Sequence, residues 1–189
     1  GGGGKARNIG MKVAQGKWVV FLDADDMFNY CINDAIDEYK DSDADIVFFK
    51  ASSIDSETYL PLNRSVRVNG CVDDALKGNH NNYYELRYHQ GCPWAKFVKR
   101  DFLIKHDIWF EEIRKHNDVR FAYTSVHFAQ KIVADPRAIY CITSRGDSVS
   151  ADASAEARLL RVEVCADFIR FKLEHDIAID DEQLLFNTM

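Results

Sequence analysis

Apolar positions along this chain recur with two different periods, and stretches of the two kinds alternate. In residues 5–15, Ala6, Ile9, Val13 and Ala14 fall one helical turn apart, which predicts a short amphipathic helix that Gly16 is placed to end. Residues 18–22 then run apolar without a break, from Trp18 to Leu22, before the acidic Asp23. A continuous apolar run of that length reads as a strand buried on both faces. A second helix is predicted over residues 32–39. A second buried strand follows over 45–50, carried by Ile46, Val47, Phe48 and Phe49. Helix and buried strand in alternation predict an α/β sheet.

From about residue 51 to 91 the pattern weakens. Residues 59–68 read as a β-ribbon, 72–76 as a short helix and 77–82 as a polar loop. Helices are predicted over 100–106 and 118–134, and a strand over 139–143. A Gly-containing polar loop spans 144–154. The strongest helix covers 155–175, with Leu159, Val162, Cys165, Ala166, Ile169 and Leu173 marking its apolar face. Gly1 to Gly4 reads as a flexible lead-in, a cloning remnant or a native glycine loop.

The 189 residues suffice for one domain with a real core. A formal net charge of -6 argues against nucleic acid as a partner, because phosphate backbones select basic faces. No apolar run is long enough to span a bilayer, and the start has no signal-peptide pattern. Cys31, Cys71, Cys92, Cys141 and Cys165 are scattered and form no CxxC pair. That spacing fits a reducing cytoplasm and offers no zinc site.

Candidate chemistry concentrates after the first strand. Asp23, Asp25 and Asp26 lie within four residues at its carboxyl end, which is where open α/β sheets bind ligands. In an extended chain Asp23 and Asp25 share one direction, and Asp26 is redirected as the chain turns. Clustered carboxylates repel unless a cation or hydrogen-bond donors compensate. Oxygen-only ligands suit Mg2+ or Mn2+. A turn whose Asp residues favour a following helix explains the triplet equally well.

The ordered set of segments resembles the family-two glycosyltransferases of the GT-A fold. Ala6-Arg7-Asn8-x-Gly10 and the strand ending in Asp23-x-Asp25-Asp26 resemble that family's helix and acidic segment. Gly91-x-x-Trp94-x-Lys96, Phe110-Glu111 and Asn117-Asp118-x-x-Phe121 resemble its downstream segments, and Ser148-Val149-Ser150 its late serine loop. A lone Asp-x-Asp is weak; the ordered set over residues 5–150 is specific.

The resemblance implies a GT-A type, Rossmann-like mixed sheet flanked by helices over residues 1–150, with a C-terminal helical extension over 151–189. It implies an inverting, metal-dependent transfer of a sugar from a nucleotide-sugar, UDP-linked, to a glycan or lipid-linked acceptor. Such enzymes commonly build bacterial envelope polysaccharides, in the cytoplasm or peripherally at the inner membrane face. By resemblance Asp23 contacts the sugar-nucleotide, Asp25 and Asp26 hold Mn2+ or Mg2+ under its diphosphate, and Asp25 belongs to both sets. Arg7 lies near the phosphates, or is a surface arginine on a helix. Asp118 is the candidate general base, or caps the helix starting near Val119. Asn117 replaces the family's usual glutamate. Trp94 and Lys96 line the acceptor side; the alternatives are a core tryptophan beside Pro93 and a solvated lysine. Asn8 positions its helix. Arg145, Ser148 and Ser150 sit in a loop placed to close over the nucleotide.

The family's opening strand and its nucleoside-binding acidic segment have no counterpart before Lys5. The expectation is therefore a domain truncated at its N-terminus. The strand at 18–22 would then lack a neighbour and leave an open edge, which predicts a homodimer through that edge. Two other readings compete. One is a non-catalytic module that keeps only the acceptor face. The other is a haloacid-dehalogenase-type phosphohydrolase, suggested by Asp23-Ala24-Asp25 but opposed by Asp26-Met27 where that family has Gly-Thr.

Overall fold

The computed structural model describes residues 2–78, 83–144 and 154–179. Among them five strands form one mixed sheet: β1 Trp18–Val19, β2 Met27–Phe28, β3 Ile46–Asp55, β4 Lys96–Lys99 and β5 Ile132–Ser144, in the order β1-β4-β3-β5-β2. β3 and β5 are parallel, β4 runs antiparallel to both β1 and β3, and β2 runs antiparallel to β5. β1, β3 and β5 therefore point the same way, and the acidic residues after β1 lie toward the carboxyl ends of the parallel strands. β1 is an edge strand. The helices are α1 Gly3–Val13, α2 Ile32–Tyr39, α3 Val66–Leu76, α4 Tyr84–Tyr88, α5 Arg100–Lys105, α6 Val119–Phe128 and α7 Ala155–Glu174.

β3 is apolar without interruption because both its faces are covered. Ile46 and Phe48 enter one core cluster with Val98, Phe102, Phe121 and Val126. Val47 and Phe49 point the other way, into a cluster with Ala35, Phe97, Ile139 and Tyr140. Every one of these side chains is buried. Each buried aliphatic or aromatic side chain stabilises the fold by roughly 1.5–3 kcal/mol.

Several elements differ from the sequence expectation. Residues 59–68 form no ribbon: the only strand-like pairing there among the described residues is the isolated bridge of Pro61 with Ile54. α3 instead starts at Val66, because Val68, Cys71, Val72 and Ala75 bury together on the sheet. Its Asn69 amide also clamps the backbone of Ala51, with both hydrogen bonds at 2.9 Å. The helix expected over 118–134 stops at Phe128, and Ile132 already belongs to β5, paired with Ile46. β1 covers only the first two residues of the expected strand. β2, α4 and β4 are short elements without a readable period.

α7 forms as expected but turns a different face inward. Val164, Phe168 and Lys172 are its buried residues, with Phe168 stacked on Tyr123 of α6 at 4.9 Å. Leu159, Val162 and Leu173 are each more than 60% exposed. The helix carries apolar residues on two opposed sides, and the aromatic surface of α6 selects one of them. No helix among the described residues is long and apolar enough to cross a membrane.

α1 begins at Gly3, so the glycine run enters the fold. A Cβ at Gly4 would stand 2.0 Å from the carbonyl oxygen of Glu111. One turn later the buried Asn8 amide donates to the Phe110 carbonyl and accepts from the Phe110 amide, both at 2.9 Å. These contacts dock α1 on the 110–117 segment, which makes Asn8 the positioning residue the sequence predicts. Gly4→Ala should lower stability by about 1–3 kcal/mol, the range for overpacking a tight contact. Thermal denaturation of the variant reads this; an unchanged midpoint would mean that α1 does not dock this way.

Candidate active site

Asp23, Ala24, Asp25 and Asp26 form a turn closed by the Asp26 amide donating to the Asp23 carbonyl at 3.1 Å. The chain is not extended here, so the expected alternation of Asp23 and Asp25 is replaced by divergence. Asp23 pairs with the Arg7 guanidinium at 2.5 Å. Asp26 turns inward: its Oδ2 accepts from the Tyr140 hydroxyl at 2.6 Å and its Oδ1 from the Thr143 amide at 2.8 Å. The Tyr140 oxygen in turn accepts from the Asp23 amide at 3.2 Å. Thr143 Oγ1 donates to the Asp25 carbonyl. The turn is thus fastened to β5 at several points, while Asp25 remains exposed.

These contacts set the electrostatics. Burial pushes the Asp26 carboxyl above the usual carboxylate range, against the lowering effect of Tyr140 and Thr143, and Asp25 and Asp23 push it further up. Burial and the Asp26 carboxylate together drive the Tyr140 phenol upward, so it stays a donor.

Arg7 joins the two halves of the site. Its Nη2 reaches Asp23, its Nη1 donates to Asn117 Oδ1 at 2.9 Å, and its guanidinium lies 5.2 Å from the centre of the Phe110 ring. Phe110 stacks on Phe121 at 4.0 Å, and Phe21 packs edge-on against both. This aromatic floor fixes the cation from below. Arg7 is therefore tied to the acidic turn, and Asn117 supplies a neutral acceptor to it.

Asp118 occupies the N-cap position of α6 yet makes no side-chain cap hydrogen bond. Capping does not account for its side chain. Burial raises its pKa; Arg7 and His116 pull it down, and Asp23 pushes it up. The carboxylate therefore sits in the field of the acidic turn and of Arg7. His116, just before it, holds a left-handed backbone with φ 56°. Positive φ in a non-glycine residue is strain of the sort that collects at functional sites.

Trp94 and Lys96 flank Ala95, which also has a positive φ of 54°. Trp94 stacks on Tyr140 at 4.9 Å, so one indole face is taken inside the protein. Lys96 is not solvated. It is 1% exposed, donates to the Gln90 carbonyl at 3.0 Å, and stands over the Phe48 ring at 4.8 Å. Burial lowers its pKa to about 8, with the Cys92 and Asp118 fields opposing the shift. Lys96 is a buried amine, not a surface contact. Arg145, Ser148 and Ser150 lie outside the described residues.

Among the described residues no three His, Cys, Asp or Glu side chains come together as a metal site. The donor set nonetheless fits a hard divalent cation. Mg2+ is typically held by one or two carboxylates plus substrate phosphates. Asp25 is exposed, and among the described residues each Asp26 oxygen accepts one hydrogen bond, which leaves it a lone pair. Sequence reasoning missed Tyr140, the residue that organises this turn. A Tyr on a buried strand carries no local signal of a partner more than a hundred residues away.

Comparison with known proteins follows from this geometry. The sequence model described as glycosyl transferase family 2 matches residues 1–112. The structure of S. aureus TarS 1–349 in complex with UDP-GlcNAc superposes with a TM-score of 0.59 at 20% identity, over 88% of this chain and 46% of that one. The UDP complex of the same protein gives 0.54 at 20% identity, over 87% and 44%. A structure of S. aureus TarS gives 0.58 at 19% identity, over 88% and 27%. This chain thus spans less than half the length of these structures. At such identities the likeness carries the fold, which is the GT-A fold the sequence predicts. No curated protein matches the sequence.

Two outcomes follow. Tyr140→Phe leaves Asp26 Oδ2 and the Asp23 amide without their partner, which should cost about 1–3 kcal/mol and be visible in urea denaturation. Asp118→Asn should do the reverse. A carboxyl raised on folding contributes stability below its unfolded pKa and loses it as pH rises through the folded pKa, so the ionised form is a burden at neutral pH. Asp118→Asn should melt higher than the parent at pH 7, with the gain vanishing near pH 3. Equal midpoints at pH 7 would contradict the burial of this charge.

Proposed function

The chain belongs to glycosyl transferase family 2, and on that premise we propose that it carries the metal- and acceptor-facing part of an inverting nucleotide-sugar transferase site. The observation that supports this reading most is the Arg7 bridge. One cation ties the acidic turn at Asp23 to the Asn117-Asp118 segment, which brings the candidate donor residues and the candidate base to one place.

In this reading Asp25 and Asp26 hold Mg2+ or Mn2+, which when bound neutralises the charge growing on the departing diphosphate. Asp23 and Arg7 border the donor. Asp118 receives the acceptor hydroxyl proton as that oxygen bonds to the anomeric carbon. The bond from that carbon to the phosphate oxygen breaks on the opposite side, and its electron pair leaves with the nucleoside diphosphate. Burial raises its pKa, which makes Asp118 a stronger base than an ordinary carboxylate. Trp94 and Lys96 shape the acceptor side, Lys96 through its buried charge. A UDP-linked donor is proposed because the similar TarS structures carry UDP-GlcNAc and UDP. The acceptor is a glycan or a lipid-linked sugar.

Isothermal titration with UDP and UDP-sugars, with and without Mn2+, tests the donor site. Binding should require the metal and be abolished by Asp25→Ala. Binding indifferent to both would remove the acidic turn from the mechanism, and none at all in a folded chain would leave a scaffold without a donor pocket. Asp118→Asn should keep binding but slow transfer by about 10²–10⁴-fold, the worth of a general base. The parent's rate should fall on acidification through a pKa above the ordinary carboxylate value of about 3.9. We also propose a homodimer through the β1 edge. Light scattering should show twice the chain mass; a monodisperse monomer would rule it out.

A further inference from the structure

The acidic turn has little positive charge to spare. A divalent cation held by Asp25 and Asp26 is already met by two carboxylates, and the charge of Arg7 is met by Asp23. A diphosphate arriving there is an anion, and it gains negative charge as its bond to the anomeric carbon breaks. A preorganised cation outside those pairs would stabilise that charge. Arg64 has this property. It is exposed, and its Nη1 donates to the neutral Ser144 hydroxyl at 3.1 Å. Among the described residues no carboxylate pairs with it, and its Nη2 and Nε have no protein partner. Arginine is the side chain best matched to phosphate, because its planar fork presents donors in a fixed geometry.

Its position ties it to the site. Ser144 is the last residue of β5 and pairs in register with Asp55, the last residue of β3. The two strands are parallel, and ligands in open α/β sheets bind outside the carboxyl ends of such strands. Thr143, the residue before Ser144, is the one that fastens the acidic turn. Its amide donates to Asp26 Oδ1 at 2.8 Å, and its hydroxyl donates to the Asp25 carbonyl. The Arg64 guanidinium is therefore anchored one residue along β5 from the anchor of both candidate metal ligands.

The segment between β3 and α3 holds Arg64 there. The Arg64 amide donates to Ser53 Oγ at 3.1 Å, and that hydroxyl donates to the Leu62 carbonyl at 2.6 Å. The Leu62 amide returns a hydrogen bond to the Ser53 carbonyl at 2.8 Å, and the Asp55 amide donates to the Leu60 carbonyl at 2.9 Å. Where the segment leaves β3, Asp55 Oδ1 accepts from the Thr58 amide at 2.8 Å and from its hydroxyl at 2.9 Å. The backbone that carries Arg64 is thus set before any ligand arrives, so binding loses little ordering entropy.

We propose that Arg64 is a phosphate-contacting residue of the donor site, its guanidinium meeting the diphosphate beside the metal held by Asp25 and Asp26. This rests on the transferase reading above. The test is isothermal titration of the 189-residue chain with UDP in the presence of Mn2+. Arg64→Gln should weaken binding about tenfold, the loss of one charge-assisted hydrogen bond. Arg64→Lys keeps the charge without the fork and should recover part of the loss. Ser144→Ala removes the anchor but keeps the arginine, and should bind UDP as the parent does. Because Arg64 is exposed, the thermal midpoints of the variants should stay at the parent's value.

The outcomes separate this contact from the rest of the donor site. UDP binding in Arg64→Gln equal to the parent's would overturn the proposal and leave the acidic turn as the donor site. Equal losses in Arg64→Gln and Ser144→Ala would overturn it too, because Arg64 would then act by pinning the end of β5. A folded parent that binds no UDP would overturn both readings.

Discussion

Three carboxylates on one tight turn repel one another, and the site depends on how the fold separates them. Each is given a different environment. Asp23 is neutralised by Arg7, Asp26 is drawn inward by Tyr140 and Thr143, and Asp25 faces outward. The separation comes from tertiary partners, since nothing in four consecutive residues can achieve it. Tyr140 and Thr143 stand on β5, whose long parallel pairing with β3 is the most extensive contact in the sheet. The geometry of the acidic turn is therefore inherited from the central strands.

Arg7 extends the same logic to a second segment. It reaches its second partner, Asn117, through 110 residues of chain. The Phe21, Phe110 and Phe121 rings beneath it keep the guanidinium from collapsing onto Asp23 alone. Asp118 then sits beside this bridge, its pKa raised by burial and drawn back by Arg7 and His116. Positive φ values occur at His116, two residues before Asp118, and at Ala95, between Trp94 and Lys96. Holding a non-glycine residue in that region costs about 1–3 kcal/mol.

Two cations are taken partly or wholly out of water, Lys96 buried and Arg87 half-buried. Lys96 and Arg87 are both desolvated and both held by backbone carbonyls, Gln90 for one and Val126 with Ala129 for the other. A buried cation costs free energy unless it is hydrogen-bonded. Both are therefore fixed in place, and ion pairs on the exposed surface contribute little by comparison.

What the sequence by itself determined are the features with local causes. α2 and α5 follow from turn spacing, and the start of β3 from an unbroken apolar run that only double burial explains. The acidic segment, Arg7, Asn8, Trp94, Lys96 and Asp118 were legible as an ordered set of residue types. The tertiary structure alone decided which way they face. α3 is a helix, not a ribbon, because four small apolar side chains and the Asn69 clamp bury together. α7 has two apolar sides, and only the rings of α6 choose between them. Lys96 reads in sequence like any surface lysine, and Tyr140 like any strand tyrosine. Burial and pairing are properties of contacts between distant segments, and no local period encodes those contacts.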